Sequence, residues 1–355
     1  MKSSDQIIID DVERAIADID LSSFKNARVL LSGASGLLGA YFAYLFYYLN
    51  TSKGYGVQAD FITRNPINEN SFLYKISRSE GFSFVAKDLS EPATYEGAYD
   101  FMIHAAGYGS PVRFIEDPIK TINVNFIGIK SMLEHAARTN PKCKVLYFSS
   151  SEIYGSPSAA NIPTPETYVG NGAITSNRAC YTESKRLSEV LCLAHVAQYG
   201  MHVRIVRPAL TYGPALTFLS GRVIGEFMKK AYLTKTIDMK DDGSDLRSYC
   251  YIGDALRQLL VVLLFSEDTI YNIGSAKEEV SIKQLAEKIG ALMDAKVVVG
   301  PGKDVAVLAA PSRVCLDMTK VKKEFGVEAE VSLGEGLKRM IDWNRALINE
   351  NIIKL

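Results

Sequence analysis

Ile7, Ile8, Val12, Ile16 and Ile19 recur at mostly helical spacing, so the first twenty-odd residues are predicted to form a helix that packs on the body. The pattern changes at Arg28, where the aliphatic run Val29-Leu30-Leu31 precedes a glycine turn and an apolar stretch opening near Leu37. That succession reads as strand, tight turn and helix. Further short runs of β-branched, aliphatic and aromatic residues lie at 57–63, 82–86, 101–105, 144–149 and 202–207, with helical patterns between most of them. Strands alternating with helices imply right-handed crossovers and a parallel, doubly wound sheet, a Rossmann-type α/β fold. The runs at 101–103 and 145–148 are apolar throughout, as central strands covered on both faces must be.

The alternation breaks at Pro208, with Pro or Gly at 208, 213, 214, 221 and 225, and helical patterns resume at 254–265 and 281–294. The expected organisation is an N-terminal helical extension at 1–26 and a dinucleotide-binding domain at 27–207 to which 251–275 returns. The segments 208–250 and 276–355 are assigned to a smaller, mostly C-terminal α/β lobe that binds substrate.

A chain of 355 residues exceeds the roughly 100–200 typical of one domain, in keeping with a large unit plus a smaller lobe. Lys+Arg and Asp+Glu each count 40, so no global basic field argues for nucleic acid. Cys143, Cys180, Cys192, Cys250 and Cys315 lie far apart and form no Cys-x-x-Cys pair, which disfavours structural zinc and a disulfide framework. No metal site is expected, and a reducing, cytoplasmic compartment is the simplest reading. The N-terminal stretch lacks the charge layout of a secretory signal. The most apolar run, 40–49, is ten residues long, about half of the ~20 that a bilayer span requires, so no membrane association is expected.

Gly33-Ala-Ser35-Gly36-Leu37-Leu38-Gly39 follows the first strand directly and opens a helix, the context of a dinucleotide fingerprint. Glycines there permit a tight turn and close approach of backbone N–H groups to a pyrophosphate at the positive helix end. The Gly-x-x-Gly-x-x-Gly spacing resembles that of the short-chain class of nicotinamide enzymes. The acid that would grip an adenosine ribose is expected about 20 residues on; Asp60 falls inside the second strand, whose end reads Thr63-Arg64-Asn65. Arg64 is suited to stacking on adenine or pairing with a 2′-phosphate, so NAD is expected with NADP open. Asp88, Leu89, Ala105 and Ala106, after the third and fourth strands, are where the adenosine half would next touch the sheet edge.

Tyr181-Thr-Glu-Ser-Lys185 places a phenol and an ammonium four residues apart on one helix face. The cation is expected to favour the phenolate and so to make Tyr181 a usable acid/base at neutral pH. Ser149-Ser150-Ser151-Glu152 ends a central strand at the carboxyl edge where parallel sheets gather ligands. There a serine hydroxyl can hold a reacting oxygen beside Tyr181, and Glu152 offers a second acid/base. Asn125 is expected to anchor a water or backbone group beside Lys185. Leu187, Val190, Leu191, Leu193 and Ala194 exceed one core-facing stripe on the same helix, so a helix-bundle homodimer is expected.

Taken together, the glycine turn, Ser-Ser-Glu-Ile-Tyr-Gly and Tyr181-x-x-x-Lys185 resemble the extended short-chain dehydrogenase/reductase superfamily of nucleotide-sugar epimerases, dehydratases and decarboxylases, from about Arg28 onward. Asp117-Pro-Ile-Lys-Thr121, Asn125-Phe-Ile-Gly128, Arg178-Ala-Cys-Tyr181, Gly221-Arg222-Val223 and the Arg247 segment look most similar to the UDP-glucuronate decarboxylases. The resemblance implies Ser150 as the active-site hydroxyl, Glu152 as an extra acid/base, and Arg178, Arg222 and Arg247 as ligands of a nucleotide-diphosphate sugar. Ser151 stands where dehydratases typically carry an aspartate, and Leu210 where an asparagine facing the diphosphate is expected. A 4-keto sugar, formed by transient oxidation at C4, would then lose CO₂, lose water or be re-reduced on its other face. The alternatives are a 4-epimerase or 4-ketoreductase and, in another class, a non-catalytic sensor of nicotinamide redox state.

Overall fold

A computed structural model describes residues 2–301 and 311–355; 302–310, within the expected second lobe, lie outside the described residues. Helix α1, Ser4–Ile16, is capped by the Ser3 hydroxyl, which accepts from the Gln6 backbone N–H. Strand β1 is Arg28–Ser32, and α2, Leu37–Lys53, springs from Gly36 and ends at Gly54. Gly54 adopts the left-handed φ that closes a helix, its N–H reaching back to the Leu49 carbonyl. Then come β2 (Gln58–Thr63), the single turn α3 (Tyr74–Ser77), β3 (Phe82–Ala86) and β4 (Phe101–His104). Helices α4 (Pro111–Glu116) and α5 (Pro118–Thr139) run back to back, each opened by a proline where a missing N–H costs nothing. Strand β5 (Lys144–Phe148), helix α6 (Ala179–Tyr199) and strand β6 (His202–Pro208) complete the first pass through the sheet.

Strand ends differ from the sequence pattern by about a residue. Ala105 and Ser149 each still donate a backbone bond to a neighbouring strand, to Ser32 O and Val206 O, and the chain then turns into a loop. The chain re-enters the sheet at Ile270–Ile273, giving seven strands in the order Ile270–Ile273, β6, β5, β4, β1, β2, β3. Every neighbouring pair is parallel. The chain walks outward from β1 to β3, then crosses back to β4 on the other side of β1. That reversal opens a crevice at the carboxyl ends of β1 and β4, where doubly wound sheets bind ligands.

Beyond the sheet, Leu246–Ser248 pairs with Glu279–Ser281 and Arg313–Val314, and Thr236–Asp238 pairs with Lys296–Val298. Helices Val223–Thr234 and Ile282–Met293 accompany these small sheets. The second opens with a capping box in which Ser281 and Gln284 satisfy each other's backbone N–H groups. Among the described residues, no helix is long and apolar enough to cross a membrane.

Helix α2 is apolar almost all round because it is covered almost all round, by the sheet, by α1 and by the helix Ile252–Phe265. At its centre lies Asp11 of α1, whose side chain is fully buried. The Tyr41 and Tyr251 hydroxyls both donate to it, as do Arg339 at 2.6 Å and Arg14 at 3.1 Å. One carboxylate thereby joins α1 to α2, to the strand Cys250–Tyr251 and to the C-terminal helix Leu333–Asn349. Removing one partner of a buried ionic cluster leaves the others uncompensated at about 3–5 kcal/mol, whereas an exposed pair contributes about 0–1 kcal/mol. Asp11→Ala is expected to show the larger loss in urea unfolding, and Asp10→Ala, whose partner Lys2 is exposed, the smaller.

Candidate active site

The glycine turn lies against the loop after β4. A Cβ on Gly33, whose φ is +76°, would sit 2.6 Å from Ala106 N, and one on Gly39 would sit 2.2 Å from the Gly33 carbonyl. Only glycine allows this approach of turn, loop and helix. Ser35 and Gly36 are exposed at the crevice, while the Leu37 side chain is buried in the core, leaving its backbone N–H as its contribution to a ligand. Leu38 is half-buried, and Leu89 is buried in a second apolar cluster beneath Ala106.

Lys185 sits one turn beyond Tyr181 on α6, and its buried ammonium donates to the Phe148 carbonyl at 2.7 Å. The ammonium lies 5.9 Å from the Tyr181 ring centre and 5.1 Å from that of Tyr147. The chain leaves β5 at Phe148, so the same anchor brings in Ser150, whose hydroxyl is near enough to the Tyr181 phenol to favour its ionised form and accepts from the Glu152 N–H. On α5, Asn125 Nδ2 donates to Ser184 Oγ, and Ser188 Oγ donates to the Asn125 carbonyl. Asn125 Oδ1 is buried without a partner and faces Gly107, where an added Cβ would lie 3.1 Å from it and 3.6 Å from Lys185 Nζ. Ser149 Oγ is a second buried polar atom without a partner at this edge. Open polar valences beside Lys185, together with a glycine-lined cradle at a helix start, suit a dinucleotide lying across the crevice.

Four of the expected groups sit in surroundings that bear on their roles. In the cofactor-free chain, burial pushes the Tyr181 phenol up to about 12, outweighing Ser150, Arg222 and Arg178, which pull it down. Lys185 is instead the group brought towards neutrality, burial lowering its ammonium to about 7. Arg178 clasps Glu152 through Nη2 at 2.5 Å and Nε at 3.1 Å. Asp88 is likewise engaged: the Lys120 ammonium at 2.8 Å and the Ser90 N–H hold its carboxyl down at about 2.

Of the other arginines, Arg222 donates to the Thr211 carbonyl at 3.3 Å and crowds Gly109, where a Cβ would lie 2.4 Å from its Nη2. It belongs to the Tyr181 cluster, since the two side chains interact electrostatically. Arg247 pairs with Asp245 at 3.2 Å and with the Leu246 carbonyl; among the described residues, no hydrogen bond or ion pair joins it to Tyr181 or Glu152. Arg64 lies over the Tyr108 ring, 5.6 Å from its centre.

Sequence reasoning missed Phe114. This buried residue of α4 stacks on Tyr181 with ring centres 4.8 Å apart and planes 16° apart, and the Arg178 guanidinium lies 5.4 Å from the centre of its ring. The two prolines that bracket α4 mark a short helix, but nothing in their spacing aims Phe114 at Tyr181. The arrangement can move a proton at a bound hydroxyl through Tyr181 and Ser150, with a carboxylate, Glu152, close by.

Residues 29–274 match the family model described as the NAD dependent epimerase/dehydratase family. The chain is 31% identical over 320 residues to UDP-glucuronic acid decarboxylase 5 of Arabidopsis thaliana, covering 89% of this chain and 88% of that protein. Its fold is shared with a dTDP-glucose 4,6-dehydratase from Streptomyces venezuelae solved with NAD, at a TM-score of 0.76 and 22% identity, over 90% of this chain and 97% of that one. A UDP-glucuronic acid 4-epimerase from Bacillus cereus, solved with UDP-glucuronic acid and NAD, superposes with a TM-score of 0.73 at 20% identity, over 90% and 99% of the two chains.

An ammonium that ionises near 7 when folded and near its ordinary 10.5 when unfolded binds fewer protons in the folded state throughout that interval. The stability of the cofactor-free protein should therefore carry a contribution from Lys185 that rises with pH from about 7 to about 10.5. In thermal melts across this range, wild type should gain on Lys185→Met as pH increases; parallel curves would refute the shift.

Proposed function

The chain belongs to the NAD dependent epimerase/dehydratase family, and on that premise we propose that it decarboxylates a nucleotide-diphosphate sugar acid of the UDP-glucuronate type through a transient 4-keto sugar. The observation that carries the reading is the convergence of Tyr181, Ser150, Lys185 and the Arg178-clamped Glu152 at the carboxyl end of β5. It is supported by the decarboxylase named above as a relative over most of both chains. NAD, when bound, would supply the hydride acceptor for oxidation at C4 and the hydride donor for the final reduction.

Tyr181 takes the proton of the sugar 4-hydroxyl in its ionised form, which Ser150, Arg222 and Arg178 favour against the burial that otherwise keeps the phenol protonated, while Ser150 Oγ holds that oxygen in line. Lys185, fixed on the Phe148 carbonyl, keeps a cationic or proton-donating group one turn below and reaches towards the cradle around Gly107 and Asn125. The resulting ketone makes a C6 carboxylate β to a carbonyl, so its bonding electrons pass to O4 as CO₂ leaves. Tyr181 and Ser150 then stabilise the O4 charge. The enolate then takes up a proton at C5, restoring the O4 ketone for its final reduction; Glu152, two residues beyond Ser150 and held by Arg178, can relay that proton from solvent. Arg222 and Arg247 are assigned to the diphosphate and carboxylate side of the substrate. Ser151, in place of an acid, disfavours loss of water.

Incubation with UDP-glucuronate, followed by mass spectrometry, tests the reading: loss of CO₂ supports it. Loss of water from a dTDP-hexose would assign a dehydratase instead, and bound nucleotide without turnover would assign a sensor. Tyr181→Phe should lower kcat by on the order of 10²–10⁴-fold, with the circular dichroism melt close to wild type.

The same reading includes a homodimer formed through α5 and α6 in the cytoplasm, the latter in keeping with five free thiols. Leu187, Val190 and Leu193 on α6 and Ile119 on α5 are exposed, Val190 at 61% and Ile119 at 68%, whereas Leu191 faces inward. Apolar rows of this kind on neighbouring helices suit a four-helix interface. Val190→Asp is expected to convert a dimer to a monomer in sedimentation velocity.

A further inference from the structure

Helix α4 is six residues long and lays one side chain on the site. Among the described residues, Phe114 is the one of α4 that is buried, whereas Val112, Arg113, Ile115 and Glu116 are exposed. So short a helix has little stability of its own, and its place is set by what it is bonded to. The Phe114 N–H bonds to the Ser110 carbonyl, and the Phe114 carbonyl accepts at 3.2 Å from Cys180 Sγ, on the residue before Tyr181. At the far end Asp117, whose N–H bonds to the Arg113 carbonyl, caps α5 by accepting from the Lys120 N–H. Helix α4 is thus pinned to the first turns of both α5 and α6.

The pin aims one ring at the holders of two acid/base groups. Phe114 stacks on Tyr181, with planes 16° and centres 4.8 Å apart. The Arg178 guanidinium, which clasps Glu152, lies 5.4 Å from the centre of the same ring. A tyrosine covered on one face cannot swing about its side-chain bonds without losing that contact. The other neighbours of the phenol are polar or charged. Ser150, Glu152, Arg178 and Arg222 act on it electrostatically or through hydrogen bonding, the Lys185 ammonium lies 5.9 Å from the ring centre, and Tyr147 of β5 is close enough to interact. Phe114 brings neither a charge nor a side-chain hydrogen bond; it brings a flat apolar face that keeps water from the phenol.

We propose that Phe114 is a positioning residue for the proton transfer: the face that α4 lays on Tyr181 holds the phenol in line with Ser150 and, through Arg178, ties Glu152 to the same surface. The inference rests on the reading of Tyr181 as the acid/base. It assigns Phe114 no contact with the sugar, so loss of the ring should register in kcat and in the pH dependence and not in KM.

Steady-state turnover of UDP-glucuronate by the full chain across pH tests it. Phe114→Ala should lower kcat by roughly ten- to a hundred-fold, the scale of a misplaced reacting group, with KM little changed. It should also bring the rise of kcat with pH to a lower pH, because water readmitted to the phenol favours the ionised form. Phe114→Leu, which keeps the apolar cover without the flat face, should lose kcat and leave the pH profile in place. Phe114→Tyr, which keeps the ring, should recover most of what alanine loses. A KM that rises with kcat unchanged would make Phe114 a substrate contact, and a kcat loss in Phe114→Ala with the pH profile unmoved would make it packing alone; either overturns the proposal. Should wild type leave UDP-glucuronate unchanged, the reading of the reaction fails and Phe114 is still tested by nuclear magnetic resonance of the chain labelled with carbon-13 at tyrosine Cζ. The signal that disappears in Tyr181→Phe should begin to titrate at lower pH in Phe114→Ala than in wild type, and coincident titrations overturn the proposal.

Discussion

A single buried hydrogen bond, from the Lys185 ammonium to the Phe148 carbonyl, fixes helix α6 against the end of strand β5. Taking an ammonium out of water is costly unless it is well bonded, so the bond sets the helix position closely. Because Tyr181 is one turn before Lys185 and Ser150 two residues after Phe148, that one anchor also determines where phenol and hydroxyl meet. Helix α5 supplies a second rail. Ser184 and Ser188 bond to the side chain and carbonyl of Asn125, so the two helices share a register beneath the site.

Burial then sorts the site's groups by mobility of charge. The phenol is held protonated and the ammonium is brought close to losing its proton, so both can exchange protons during a reaction without a fixed charge being stranded. The carboxylates are treated differently. Glu152 is neutralised by Arg178, and deeper down Glu189 is neutralised by Arg207, which also bonds the Tyr154 hydroxyl and the Glu166 carbonyl. The inner pair supports the turn that carries Ser150 and Glu152, because Tyr154 closes that turn. A low-dielectric wall of this kind strengthens the directed dipoles within it.

The helix that precedes the first strand is part of the same structure. Asp11 gathers two tyrosines and Arg339 from distant segments, together with Arg14 of its own helix, into the space between α2 and the C-terminal helix. This explains why α2 could be apolar on nearly every face without lining a membrane or an interface.

The glycine turn, the order of strand and helix, and the Tyr181–Lys185 pair were legible in the sequence, since each depends on spacing within one turn or one element. The parallel topology followed from alternation, and the carboxyl-edge location of Ser150 and Glu152 from the end of one strand. Other features required the folded chain. Phe114 on Tyr181, Arg178 on Glu152, Lys120 on Asp88 and the Asp11 cluster each join residues on separate elements, and spacing along a chain carries no information about which side chains two elements present to each other. The direction of the Tyr181 shift was beyond the sequence for the same reason. A neighbouring cation can be read from four residues of spacing, but the opposing loss of water depends on everything packed around the phenol, and here that loss is the larger effect.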